Sequence, residues 1–312
     1  MNQTDWICTS CPRQCGVDRT LAKGYCQAPR QPEVASICVH KGEEPPICGT
    51  KGICNIFFAH CNLHCCFCQN YQISGAHVDE SCLYYRGLEA VCDRVEEVLA
   101  QTENIIGFVS PAHYSYCVPQ IVEELHRRGC FPTVVYNTNG YDSVESLKMV
   151  APYVDVYLPD FKYMDSSLAA TLSHAADYPE VAQKALLEMY SQKGSGLPTD
   201  DDGLAYRGII IRHLILPGQV DNSLRVLDWM ADNLSLNLHI SLMSQYTPIF
   251  GAEGDAGGQV PKYLLRTITQ EEYDRVVDHF YELGFHRGWV QEFSSQQHYV
   301  PQFSNREAFE SE

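Results

Sequence analysis

The chain has 312 residues, 45% of them hydrophobic, and its 39 acidic residues outnumber the 22 basic ones to give a net charge of −17. So acidic a chain, without any run of Lys or Arg, is unsuited to tracking a nucleic-acid backbone. No stretch approaches the ~20 consecutive apolar residues that span a bilayer, and the N-terminal sequence shows neither a basic nor an apolar leader. We therefore expect a cytoplasmic protein that binds neither nucleic acid nor membranes.

Fifteen cysteines are the most unusual feature of the composition, and eleven of them fall between Cys8 and Cys68. Disulfides are rare in the cytoplasm, so this crowding favours metal or iron–sulfur ligation. Residues 1–50 are also rich in Pro and Gly and show neither a helical nor a strand period. We predict a loop-rich N-terminal appendage over residues 1–50, which needs a metal or packing to stay folded, and a second region over residues 51–312.

From Ile53 onward, short β-rich runs alternate with amphipathic stretches. The predicted strands are Ile53–Phe58, Ile105–Val109, Thr133–Asn137, Val154–Leu158, Gly208–Leu216 and Leu238–Met243. The predicted helices are Leu88–Gln101, Pro119–Arg128, Ser143–Val150, Pro179–Gln192, Asn222–Asn233 and Gln270–Leu283, the last with a capping box of Thr269 and Glu272. Such alternation predicts an α/β fold with a parallel sheet and right-handed crossovers. Periodicity does not decide between a partial barrel and an open, doubly wound sheet.

The segment after the first strand, CNLHCCFCQN, contains Cys61, Cys65 and Cys68 with three and then two residues between them. Three thiolates can bind three irons of a 4Fe–4S cubane and leave the fourth iron open to a small molecule, whereas four cysteines close a ferredoxin-type cluster. Cys66 is a further thiol, but one short loop cannot easily aim adjacent side chains at one cubane. We expect Cys66 to pack as a small apolar residue. A zinc site or buried free thiols are the alternatives for the triad.

The CX3CX2C spacing, with the aromatic Phe67 before the last cysteine, resembles the radical S-adenosylmethionine (SAM) superfamily. The phrases CPRQCGVDRT, FFAHCNLHCCFCQNYQIS, VYNTNGYDS, VYLPDFKY and RHLILPG are similar to the PflX-type relatives of pyruvate formate-lyase activating enzymes. The resemblance implies a partial (β/α)6 barrel with a C-terminal extension over residues 51–312. It also implies that a 4Fe–4S cluster on the triad cleaves SAM reductively to a 5′-deoxyadenosyl radical, which abstracts hydrogen from a substrate.

In such a barrel the ligand site lies at the C-terminal ends of the strands. The polar residues at the strand ends, together with the resemblance, predict these SAM contacts: Phe67, Ser110, Asn137, Thr138, Asp160, Lys162, Arg212 and Leu214. Asp160 and Lys162 are two residues apart on a strand and point to the same side, and a simple rim salt bridge is the alternative for them. Arg212 lies inside an apolar run, so its guanidinium should meet a carboxylate.

Three places depart from the family pattern. The turn that starts at Ser110 and contains His113 replaces a glycine-rich turn, and Asn137 stands where related activases carry an aspartate. Gln245 and Tyr246, after the sixth strand, occupy the region where activases often have a histidine. The second change removes a charge and puts any cation site there in doubt. For His113 a hydrogen-bonded structural role is preferred over proton transfer. We assign no catalytic acid or base, because radical abstraction requires none.

Cys8, Cys11, Cys15 and Cys26 form a second set, with spacings of two, three and ten residues. Four thiolates can close a structural zinc site or an auxiliary iron–sulfur cluster, and free thiols are the third possibility. Cys38, Cys48 and Cys54 are candidates to replace members of the set.

The leading interpretation is an oxygen-sensitive radical SAM oxidoreductase that a donor such as flavodoxin or ferredoxin reduces. Its subgroup implies activation of a glycyl radical protein. Hydrogen abstraction from a small molecule or a peptide is the alternative. An interpretation of another class is a non-catalytic iron–sulfur redox or metal-binding module.

Overall fold

The computed structural model describes residues 7–75, 78–249, 260–295 and 301–309. Within these ranges, nine strands form one sheet: β1 (Glu33–His40), β2 (Ile53–Phe58), β3 (Tyr85–Arg86), β4 (Ile105–Val109), β5 (Thr133–Thr138), β6 (Val156–Pro159), β7 (Gly208–Leu214), β8 (His239–Met243) and β9 (Gly288–Val290). Their spatial order is β3-β1-β2-β4-β5-β6-β7-β8-β9. The sheet is parallel from β2 to β9, and β1 and β3 add an antiparallel edge.

Helices connect the parallel strands. In the described residues they are α1 (Pro45–Cys48), α2 (Tyr71–Ser74), α3 (Leu88–Leu99), α4 (Cys117–Arg127), α5 (Val144–Val150), α6 (Ser166–Ser173), α7 (Tyr178–Lys193), α8 (Val220–Asn233) and α9 (Gln270–Glu282). The six predicted strands and six predicted helices are all present, each within two residues at either end. The capping box at the start of α9 is formed as expected. The predicted α/β fold is confirmed.

The prediction that residues 1–50 lack regular structure is wrong for their last third. Strand β1 pairs with β2 along its length, and α1 follows it. Residues of β1 are buried in an almost unbroken run, because the strand is covered on both faces. Such a strand shows no alternation of polar and apolar residues, so periodicity cannot reveal it. Four further elements, β3, β9, α2 and α6, were also not predicted.

The sheet curves around its polar interior. Glu43 accepts hydrogen bonds from Asn55 of β2 at 2.9 Å, from Asn137 of β5 at 3.2 Å and from Arg212 of β7 at 3.1 Å. In a flat sheet, four strand spacings would separate β2 from β7 by about 19 Å. Both strands reach the same carboxylate, so the sheet is rolled into a partial barrel. The open-sheet alternative is excluded.

The described helices include none that combines the length and apolarity needed to cross a membrane.

Candidate active site

A cavity of about 240 Å³ opens at the C-terminal ends of the parallel strands. All eleven residues predicted for the cluster and for SAM line it: Cys61, Cys65, Cys68, Phe67, Ser110, Asn137, Thr138, Asp160, Lys162, Arg212 and Leu214. They come from the loop after β2 and from the ends of β4, β5, β6 and β7, as the barrel topology requires. Cys66 is not among the described residues of the cavity wall, and it packs, half-buried, against the hydrophobic core.

Each triad thiol accepts a hydrogen bond from a polar side chain of a different segment. Asn139 Nδ2 donates to Cys61 Sγ at 3.4 Å, and two serine hydroxyls donate to the others: Ser173 to Cys65 at 3.0 Å and Ser74 to Cys68 at 3.1 Å. Ser74 ends α2, and Ser173 ends α6. Among the described residues, no side chain donates to the sulfur of Cys66. The triad cysteines therefore differ from Cys66, because in the described residues only the triad sulfurs, of these four, accept side-chain hydrogen bonds.

Burial disfavours the thiolate form of the three triad cysteines, which is the form that binds a metal. Burial raises the pKa of Cys65 to about 11 and raises those of Cys61 and Cys68 as well. Thiols of this kind stay protonated at neutral pH until a cation stabilises the thiolate. Bound iron would supply that positive charge, and the three side-chain donors contact the sulfurs from the protein side.

Zinc is the alternative metal for the triad. A structural zinc site closes with four protein ligands, whereas three thiolates leave one iron of a cubane open. Cys66, the further thiol of this loop, is not among the described residues that line the cavity.

A network of largely buried charges lies in the cavity wall. Lys162 Nζ contacts Asp160 at 2.6 Å, and Arg212 Nε donates to the other oxygen of Asp160 at 3.0 Å. Arg212 also contacts Glu43 and donates to Asn137 Oδ1 at 2.5 Å. The predicted carboxylate partner of Arg212 is confirmed. Burial alone would raise the pKa of Asp160, but Lys162 and Arg212 hold it below its usual value.

Glu43 and Glu44 were missed by sequence reasoning. They lie between β1 and α1, line the cavity and are largely buried. Burial raises the pKa of Glu44, and in the described residues its Oε2 has no hydrogen-bond partner. One signal could have pointed to them: Asn55, a buried amide in the apolar strand ICNIFF, requires a polar partner inside the fold.

His113 has a structural environment. Its ring is fully buried, and Nε2 donates to the Ala59 carbonyl at 2.8 Å. Burial lowers the pKa of His113 to about 3, so the ring is neutral. Ser110 has left-handed backbone geometry (φ 52°), and its N–H donates to the Asn137 carbonyl at 2.8 Å. The preferred structural role of His113 agrees with this geometry.

The second set of cysteines gathers at the N-terminus. Cys8, Cys11 and Cys26 are buried and Cys15 is half-buried. The pKa of Cys11 is raised to about 12, mainly by burial and further by the nearby thiols of Cys26, Cys8 and Cys15. Four thiols that influence one another in this way lie close together. The possible substitutes lie elsewhere: Cys38 in β1, Cys54 in β2 and Cys48 at the end of α1.

No family model matches the chain. An uncharacterized protein from Methanocaldococcus jannaschii is 27% identical over 277 residues, which cover 87% of this chain and 73% of that protein. Among solved structures, similarity is found to a domain of pyruvate-formate lyase-activating enzyme from Bacteroides vulgatus, with a TM-score of 0.38 and 13% identity over 57% of this chain and 92% of that one. It is also found to anSMEcpe with bound AdoMet (TM-score 0.47, 11% identity, 74% and 61% covered) and to spore photoproduct lyase (TM-score 0.46, 12% identity, 83% and 80% covered).

These solved structures have TM-scores below 0.5 and identities of 13% or less. The radical SAM resemblance stays a prediction from the cysteine motif and the phrases quoted with it.

Proposed function

We propose that this chain is a radical SAM enzyme with a 4Fe–4S cluster on Cys61, Cys65 and Cys68. One observation carries the proposal. Three thiols in one loop and eight residues assigned to SAM, from five parts of the chain, line a single cavity. When bound, the cluster supplies the electron that splits SAM into methionine and a 5′-deoxyadenosyl radical, which abstracts hydrogen from a substrate.

The chain's own residues bind and orient SAM. We assign Lys162 to the methionyl carboxylate and Asp160 to the ribose hydroxyls, since both line the cavity while they contact each other. Phe67 and Leu214 offer apolar contact to adenine. Ser110 and Thr138 supply hydroxyl groups near the methionyl end.

Asn137 has a different assignment. Its Oδ1 accepts from Arg212, and its Nδ2 donates to Glu43. Both ends of the amide are thus engaged within the protein. We assign Asn137 to holding Arg212 in place, which is a task that an amide performs without adding a buried negative charge.

Two classes of substrate are candidates for hydrogen abstraction by this proposed enzyme. The sequence resemblance to activases supports a glycyl radical protein as substrate, with flavodoxin or ferredoxin as electron donor. A small molecule or a peptide segment is the second candidate. Pro301 and Phe309 line the cavity, and Phe309 stacks on His40, so the C-terminal segment covers part of the mouth. This partial cover favours a substrate of small cross-section.

Anaerobic reconstitution with iron and sulfide, followed by reduction in the presence of SAM, tests the function. We expect 5′-deoxyadenosine and methionine as products. A fully loaded, reduced cluster that yields no 5′-deoxyadenosine would show a non-catalytic iron–sulfur module instead. For the substrate, a glycyl signal in electron paramagnetic resonance (EPR) with a glycyl radical protein supports activation, and its absence with every such protein of the host favours the second candidate.

The side-chain donors around the triad lead to a prediction about the cluster's reduction potential. Hydrogen bonds to cluster sulfurs favour the reduced, more negative state. Ser173→Ala and Ser74→Ala should each shift the midpoint potential to more negative values and slow SAM cleavage by a weak reductant. An EPR-monitored redox titration measures the shift. Ser173→Thr, which keeps a hydroxyl, is the control, and an unchanged potential in the double alanine variant would contradict the prediction.

A further inference from the structure

We propose that Cys8, Cys11, Cys15 and Cys26 hold a second 4Fe–4S cluster, closed by four thiolates, that relays electrons to the triad site. An external one-electron donor of the flavodoxin or ferredoxin class reduces this cluster by one electron. The cluster is reoxidised when the electron passes to the triad cluster, so the relay ends each cycle unchanged. The inference rests on the proposed function for its purpose, but the metal site itself is testable separately.

The backbone of the N-terminal loop brings the four thiols together. The N–H of Cys8 donates to the Val17 carbonyl at 2.9 Å, and the N–H of Gly16 donates to the Cys8 carbonyl at 3.1 Å. Cys8 therefore faces the strand-like segment that follows Cys15. A turn between Cys11 and residue 14, closed by a 3.0 Å hydrogen bond, folds the chain between the two.

The fourth cysteine is joined to this loop through its neighbour. The N–H of Tyr25 donates to Cys15 Sγ at 3.3 Å, and Cys26 follows directly in the chain. Gly24 also packs against Cys15, since a Cβ on Gly24 would stand 3.0 Å from that sulfur. Any larger residue at this position would push Cys15 away. All four side chains thus belong to one compact loop.

The surroundings suit an anionic cluster. Four thiolates on an oxidised 4Fe–4S cubane leave a net negative charge, and a buried charge of this kind needs a nearby cation. Arg19 is only 5% exposed, and its Nη2 donates to Cys26 Sγ at 3.6 Å. Its Nη1 donates to the His113 carbonyl at 2.7 Å, which holds the cation beside the thiols.

Hydrogen bonds connect the N-terminal cysteine loop to the loop that carries the triad. Arg13, between Cys11 and Cys15, donates from Nε to the carbonyl of Asn62, the residue after Cys61, at 3.0 Å. Its Nη2 donates at 2.8 Å to the carbonyl of His174, which follows the serine that contacts Cys65. The guanidinium lies 3.8 Å from the ring centre of Tyr25. A direct hydrogen-bonded route therefore connects the two cysteine sets.

Zinc is the other metal that four thiolates can hold. The connection between this loop and the triad loop favours a cluster, because zinc has no redox chemistry and a 4Fe–4S cluster can carry an electron.

The variant with Cys61, Cys65 and Cys68 all replaced by alanine isolates the second site. After anaerobic reconstitution we expect it to retain about four irons and four sulfides per chain and, when reduced, to show the EPR signal of a 4Fe–4S cluster. Adding Cys11→Ser and Cys15→Ser should remove both. Circular dichroism establishes that each variant is folded. Zinc as the bound metal, or no bound metal in a folded triple variant, would overturn the proposal.

The relay is tested in the chain with the triad intact. The measured quantity is the rate of 5′-deoxyadenosine formation with reduced flavodoxin divided by the rate with dithionite. We expect Cys11→Ser to lower this ratio by about tenfold or more. Dithionite is small and can reach the triad cluster directly, so its rate should change little. An unchanged ratio would exclude the relay. Failure of the proposed function is distinguishable, because the native chain would then hold both clusters and form no 5′-deoxyadenosine with either reductant.

Discussion

Replacing Cys61, Cys65 or Cys68 with alanine should abolish 5′-deoxyadenosine formation, whereas Cys66→Ala should keep the rate within about twofold of the native value. The three triad thiols line the cavity, and each accepts a side-chain hydrogen bond. Cys66 packs against apolar neighbours instead, and its backbone N–H donates to the Leu172 carbonyl at 2.8 Å. Alanine keeps that backbone contact and most of the packing.

Iron content, visible absorption and product formation check this result in parallel. The triad variants should lose the iron bound at that site, and Cys66→Ala should keep it. Cys66→Ala is the matched control, because it removes a thiol from the same loop. A Cys66→Ala protein that loads no cluster while a triad variant still does would move the ligand assignment from that cysteine to Cys66.

Asp160→Asn should lower the free energy of unfolding of the metal-free protein by about 3 kcal/mol, because it leaves two largely buried cations without a shared carboxylate. The side chains of Asp160, Lys162 and Arg212 are only 18%, 19% and 16% exposed. Lys162 loses its contact at 2.6 Å, and Arg212 keeps Glu43 as its carboxylate partner. The same change should abolish detectable SAM binding, since Asp160 lies at the proposed ribose contact.

Urea unfolding measures the stability change, and calorimetry on the reconstituted protein measures SAM binding. Glu180→Gln is the matched control, because it removes a carboxylate from the exposed pair with Lys184 and should leave stability unchanged within error. Equal stability of Asp160→Asn and the native chain would mean that the network contributes nothing to folding.

The effect of Asp160→Asn also depends on pH. Lys162 and Arg212 hold the folded-state pKa of Asp160 below its unfolded value, against the effect of burial. Stabilisation by this carboxylate is therefore present above the unfolded pKa and is lost as the pH falls through the folded one. The difference in stability between the native chain and Asp160→Asn should shrink on acidification. A difference that grows at acid pH would contradict this assignment.

Local sequence patterns were sufficient to predict most strands and helices of the barrel. The strand Ile53–Phe58 and the helix that starts at Leu88 were predicted closely, because burial on one or both sides leaves a readable period or apolar run. Strand β1 was not recognised, since its run EVASICVH has no period and lies in a Cys-rich segment. The two-residue β3 and the three-residue β9 carry too few residues for any pattern.

The sequence itself determines three features, because each depends on a few neighbouring positions. They are the spacing of Cys61, Cys65 and Cys68, the alternation of strands and helices, and the polar residues at the strand ends. The tertiary structure alone decided which of these residues share a cavity. Asn55 and Arg212, four strand spacings apart, reach the same carboxylate of Glu43 only because the sheet twists and rolls as a whole, and no local spacing encodes that curvature. Likewise, only the folded chain brings Arg13 of the N-terminal loop to the carbonyl beside Cys61.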